Sequence, residues 1–130
     1  MSLELTLLLW SVVLAGLYVG AQSIFYRMEY GVIYAGSARD NERAPKNVLT
    51  ARAEKALRNF LETYAVFIAL VVVIELGGRS DGLTVWGSQL YFWARVAYLP
   101  AYLSAIPFLR SGIWMISAIG LVLMFVGAVS

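Results

Sequence analysis

Apolar residues run almost unbroken over positions 5–26, LTLLLWSVVLAGLYVGAQSIFY, without a single charged side chain. A helix needs roughly 20 apolar residues to cross the hydrocarbon core, so this segment predicts a first spanning helix. Polarity takes over from Arg27 to Arg58, and Gly31, Gly36, Ser37 and Pro45 punctuate its first part. The helix-favouring stretch ARAEKALRNFLE implies a second helix that begins near Val48, ahead of the membrane, and spans it over 56–76. Gly77-Gly78 ends it, and the short link Arg79-Ser80-Asp81-Gly82 leads to a third span over 83–103. Pro107 marks a turn, after which Ser111 or Gly112 opens a fourth span over 112–129. No internal repeat or low-complexity tract interrupts the pattern. The expectation is one all-α domain over residues 1–130, an integral membrane four-helix bundle.

Composition agrees with that expectation. Hydrophobic residues make up 61% of the 130 positions and charged residues 14%, against roughly 25% charged in an ordinary soluble domain. A soluble domain of this size could not hide so much apolar surface, which excludes a soluble enzyme, a nucleic-acid module and a disordered tail. Nucleic acid is therefore not an expected partner, whereas membrane lipid is. The chain has neither Cys nor His, so thiolate catalysis, iron–sulfur clusters and the commonest metal and haem ligands are excluded. Its eight carboxylates form no close cluster in sequence, and no metal or haem is expected. Reactive chemistry, if present, arrives with a small-molecule cosubstrate.

The net charge is only +2, and its distribution is the informative part. Four spans put Arg27, Arg39, Arg43, Lys46, Arg52, Lys55, Arg58 and Arg110 on one side, and only Arg79 on the other. Positive residues in short loops stay in the cytoplasm. The basic loops, 27–58 and 104–111, are thus expected inside, with both termini outside; in a bacterium this would be the inner membrane. Glu4 precedes the first apolar run without a basic leader, so that helix reads as retained and not as a cleavable signal.

Ionisable side chains at membrane depth are costly and face a cavity or a partner. Arg52, Lys55, Asn59 and Glu62 are spaced three, four and three apart, which stacks them on one helical face with Arg58 beside it. Snorkelling at the interface accounts for Arg52 and Lys55. It accounts less well for Asn59 and Glu62, which lie inside the apolar run. On the third helix Arg95, Tyr98 and Tyr102 again share a face, and Arg95 calls for a carboxylate or several carbonyls, with Glu62 and Glu75 in reach. Glu75 itself has Arg79 one turn on, which suggests an ordinary i,i+4 pair. Arg110-Ser111 sits at the mouth of the fourth helix, where free backbone N–H groups favour an anion. Several cations with one carboxylate, an amide and two phenols suit a small, mainly anionic zwitterion such as glutathione. An acidic lipid headgroup fits the cations equally.

Arg58-Asn59-Phe60-Leu61-Glu62, with Lys55 one turn earlier, resembles the Arg-Asn-x-x-Glu stretch of the second helix in the MAPEG superfamily, the membrane-associated proteins in eicosanoid and glutathione metabolism. Arg95-Val96-Ala97-Tyr98, then Tyr102 and Arg110-Ser111, is similar to its third- and fourth-helix signature. The resemblance extends over essentially the whole chain, with the specific motifs in 52–62 and 95–114. It implies a homotrimer with glutathione as cosubstrate bound between subunits, a bacterial-type microsomal glutathione transferase that conjugates or reduces lipophilic electrophiles. By position, Arg27, Arg52, Lys55, Arg58, Asn59, Glu62, Arg95, Tyr98, Tyr102 and Trp114 would hold glutathione, Arg110 would stabilise its thiolate and Ser111 would stand beside it. Arg27 and Asp40 match family positions loosely. Three positions depart from the pattern: Lys55 stands where Arg is usual, the Pro that commonly follows the Glu is replaced by the Ala65-Val66 stretch, and Trp114 replaces a smaller or phenolic residue. Some members bind lipid without catalysis, so a non-catalytic lipid-binding or interaction protein is the alternative. A small multidrug transporter would want a carboxylate deep in the first helix, where only Glu4, at its edge, is available.

Overall fold

The computed structural model of the chain describes residues 1–38 and 45–130. Arg39, Asp40 and Arg43, assigned above to the basic loop, lie outside the described residues. The described chain is all helical: α1 (Leu3–Tyr30), α2 (Val32–Gly36), α3 (Val48–Gly77), α4 (Gly82–Ser104) and α5 (Leu109–Val129). Three of these, α1, α3 and α5, are long and apolar enough to cross a membrane. The fourth long helix, α4, carries Ser88, Gln89 and Arg95 and is not among them.

The helix boundaries follow side-chain chemistry. Ser2 caps α1 by accepting from the Leu5 N–H, and Asn47 caps α3 by accepting from the Leu49 N–H. Asp81 and Thr84 exchange hydrogen bonds as a capping box at the start of α4. Gly78, at φ 64°, ends α3 in the left-handed region that suits glycine. That turn also overturns one expectation, the i,i+4 pair between Glu75 and Arg79. The helix stops before Arg79, whose guanidinium turns to the Ser130 carbonyl at 3.5 Å, while Glu75 accepts from the Ser2 hydroxyl at 2.8 Å.

Other departures are differences of extent. The first helix continues past residue 26 to Tyr30, and a short helix, α2, occupies part of what reads as loop. The last helix starts at Leu109, so Arg110 and Ser111 lie in its first turn and not ahead of it. Polar contacts pin both ends of the assembly. At one end Glu29 accepts the backbone N–H groups of Lys46 (2.6 Å) and Asn47 (3.0 Å), fastening α1 to the start of α3. At the other, the buried Glu4 carboxylate accepts the hydroxyls of Ser80 (2.6 Å) and Thr84 (2.8 Å).

Between these ends the helices pack through aromatic stacks, Tyr18 on Phe60 and Phe67 on Tyr91, each with ring centroids 4.4 Å apart. The most extensive contact joins α4 to α5. There Gly87 and Gly120 face each other so closely that a Cβ on either would stand 2.5–2.6 Å from the other's carbonyl oxygen. Gly127 sits as tightly, its would-be Cβ 2.6 Å from the Thr84 methyl. Outward-facing Leu9, Trp10, Val13, Val73, Trp86, Trp93, Val122 and Phe125 stay exposed, which fits a lipid-facing surface.

Candidate functional site

The N-terminal half of α3 leans on the end of α4 and the start of α5, and two adjoining cavities open between them. The first, about 330 Å³, is lined by Arg52, Lys55, Tyr102, Arg110 and Ser111, with the 105–108 connection as its floor. Arg52 is anchored there by donating to the Leu103 carbonyl at 3.1 Å. The Arg110 guanidinium lies 5.0 Å over the Tyr102 ring. Ala105 and Phe108 hold φ values of 56° and 64°, so the connection that carries Arg110 takes its turn at two non-glycine residues. The lining contributes cations but no carboxylate among the described residues, and the unsatisfied N–H groups of the first turn of α5 point the same way. Its chemistry is that of an anion site.

The second cavity, about 310 Å³, is lined by Asn59, Arg110, Ser111, Trp114 and Met115. Arg110 and Ser111 therefore form the wall between a cationic chamber and one with an amide and an indole. Behind Asn59 lies Arg95, fully buried at 0% exposure. No carboxylate among the described residues pairs with it. One Nη donates to Asn59 Oδ1 at 2.8 Å, and the guanidinium lies 4.7 Å from the Tyr98 ring and 5.7 Å from that of Tyr91. Its Nε, its other Nη and the buried Tyr98 hydroxyl make no hydrogen bond among the described residues. The expectation that Glu62 or Glu75 would neutralise Arg95 is thus replaced by an amide and two aromatic faces.

Glu62 is exposed and belongs to a third, more open groove of about 450 Å³, together with Glu54, Leu57, Arg58 and Leu61. Arg58 pairs there with Glu54 at 3.7 Å, one turn back on the same helix. The stripe read from spacing therefore divides: Arg52, Lys55 and Asn59 turn toward α5, while Arg58 and Glu62 face away from the protomer. Arg27 is not with either group; it folds back on its own helix to the carbonyl and hydroxyl of Ser23. Tyr98 is buried beside Arg95, and Tyr102 and Trp114 line the cavities.

Sequence reasoning missed Tyr18, whose hydroxyl donates to the Arg95 carbonyl at 2.7 Å. It sits in an apolar run where nothing distinguishes a tyrosine that faces a partner helix from one that faces lipid. A sequence profile described as MAPEG family matches residues 6–130, nearly the full length. No curated protein matches the chain, and no solved structure does.

Proposed function

We propose, from the premise that this chain belongs to the MAPEG family, that it is a glutathione-dependent transferase, with peroxidase capacity, acting on lipophilic electrophiles that enter from the bilayer. The chain is an integral membrane protein, and in this reading α4 is its fourth span, the four long helices form a bundle, the basic ends of α1, α3 and α5 face the cytoplasm and both termini lie outside. One observation supports the reading above others: Arg52, Lys55 and Arg110 converge on one cavity with no carboxylate among the described residues that line it, and Arg110 also borders the cavity of Asn59 and Trp114. The cations suit the two carboxylates of glutathione, and Arg110 with Ser111 suits its sulfur. The thiolate attacks the electrophilic carbon of the second substrate, a new carbon–sulfur bond forms, and the leaving group departs with the electron pair. With a hydroperoxide, the thiolate attacks the distal oxygen, the O–O bond breaks with the alkoxide leaving as the alcohol after taking a proton, and a second glutathione converts the resulting sulfenic acid to disulfide and water.

The test is turnover of a chromogenic electrophile by purified protein with glutathione, in detergent and in lipid, alongside calorimetric glutathione binding. Conjugation with saturable glutathione dependence is expected. Lack of both turnover and binding would leave the non-catalytic reading, in which the same cations hold an acidic headgroup.

The reading includes a homotrimer. Arg58 and Glu62 face out of the protomer into the open groove on α3, and a neighbouring subunit would close that groove over them. A Cβ added at Gly16 or Gly20 would meet no atom within 4 Å, which leaves α1 room for close approach by another helix. Native mass spectrometry in mild detergent is expected to show trimers, and Glu62→Ala to weaken the assembly, glutathione binding or both. Monomers alone in the wild type would contradict it.

A further inference from the structure

Arg95 lines neither cavity at the α3–α5 junction, yet it is fully buried and held from three sides. The Tyr18 hydroxyl fixes its carbonyl, the Tyr98 and Tyr91 rings flank its guanidinium, and Asn59 takes one of its N–H groups. A guanidinium has donors only and no acceptor. An asparagine beside it has one satisfactory orientation, with the oxygen turned inward; the reverse would set two donor groups against each other in a buried place. Asn59 Oδ1 is indeed the atom that meets Arg95, at 2.8 Å. Its Nδ2 makes no hydrogen bond to any described residue, and Asn59 lines the cavity of Arg110, Ser111 and Trp114.

We propose that Arg95 is a positioning residue that locks the Asn59 carboxamide so that its two N–H groups face the Arg110–Trp114 cavity and demand a hydrogen-bond acceptor, a carbonyl or carboxylate oxygen, from whatever binds there. The assignment rests on the glutathione reading only for the identity of that acceptor. It accounts for a buried arginine that no carboxylate among the described residues pairs with: a carboxylate would compete with Asn59 for the guanidinium and release the amide. It also explains why Asn, and not Asp, stands at position 59. An aspartate would satisfy Arg95 as an ion pair while presenting to the cavity an acceptor that repels an anionic ligand.

The experiment has two arms, both on the full-length protein in lipid nanodiscs. In the first, asparagine is labelled with nitrogen-15; the chain has three, Asn41, Asn47 and Asn59, and the Asn59 side-chain pair is identified by its disappearance in Asn59→Asp. The expected result is cross-relaxation from the Asn59 amide protons to Ser111 or Trp114. Absence of cross-relaxation to both Ser111 and Trp114 would overturn the proposal, and this arm requires no ligand. In the second arm, glutathione affinity is followed through a double-mutant cycle. Arg95→Leu should weaken binding about tenfold in the wild type and less than about twofold in an Asn59→Ala background, and Arg95→Gln, which keeps a donor at the same place, should stay within about threefold of wild type. An equal loss from Arg95→Leu in both backgrounds would show a merely structural role and overturn it. Absence of glutathione binding by the wild type would sink the proposed function, and the first arm would then still decide the orientation of Asn59.

Discussion

Arg110→Ala should remove most turnover at neutral pH and leave glutathione affinity only modestly weaker. Arg110 lies in the first turn of α5, on the wall shared by both cavities, while Arg52 and Lys55 line only the cationic one. In the proposed function the carboxylates of glutathione would thus keep two cations when Arg110 is lost, whereas the sulfur would lose its own. A free thiol ionises near ~8.5, and holding it two units lower takes about 2.7 kcal/mol of preference for the anion. A hydrogen bond from a charged donor contributes roughly 1.5–3 kcal/mol, so one well-placed guanidinium is sufficient in size. At pH 7 the thiolate fraction would fall about 25-fold on losing those two units. The sign is checkable: because the variant raises the pKa of the bound thiol, its rate should climb with pH and approach wild type above about pH 9. Arg110→Lys, which restores a charge without the planar fork, should recover part of the loss. The measurement is the pH profile of kcat beside thiolate absorbance of bound glutathione. Identical ionisation in wild type and Arg110→Ala would assign Arg110 to anchoring the loop.

The second large effect is on stability. Gly120→Val should prevent α4 and α5 from docking, and Gly120→Ala should already cost at least ~2 kcal/mol, at the upper part of the range for overpacking. The reason is the nature of the atoms met. A Cβ at position 120 would stand 2.6 Å from the Gly87 carbonyl oxygen and 2.7 Å from the Tyr91 amide nitrogen, and backbone cannot swing aside as a side chain can. Gly112, on the same helix, has nothing within 4 Å of its would-be Cβ. Gly112→Ala should therefore be neutral or slightly stabilising through helix propensity. Thermal loss of helical signal in detergent compares the three variants directly; equal behaviour of Gly112→Ala and Gly120→Ala would remove the close crossing as the cause.

What could be read from the chain depended on how local the signal was. The early start of α3 was legible because ARAEKALRNFLE carries high helix propensity on its own, and its end was legible because Gly77-Gly78 offers a left-handed cap. Spacing also placed Arg52, Lys55 and Asn59 on one side of α3. It could not divide Arg58 and Glu62 from them, since the boundary is set by where α5 lies, which no periodicity within α3 reports. Arg95 was recognisable as a residue in need of partners, and spacing put Tyr98 on its face, but charge alone suggested a carboxylate, and the amide that serves it comes from another helix and is brought there only by packing. Gly87 and Gly120 resembled any other small residue in an apolar run. Their pairing is a property of the crossing and leaves no trace in either segment.

The placement of that crossing also sets a mechanical ratio. Along α5, Gly127 is fastened against Thr84 near one end, Gly120 meets Gly87 seven residues on, and Arg110 rides ten residues further. With a rise of about 1.5 Å per residue, these arms are about 10 Å and about 15 Å long. A helix that turns about Gly127 by ~1 Å at Gly120 therefore carries Arg110 through about 2.4 Å by simple proportion. That is the difference between a guanidinium in contact with an anion and one separated from it by most of a water molecule. The reach of Arg110 is accordingly governed from the opposite half of the membrane, by two residues that have no side chain at all.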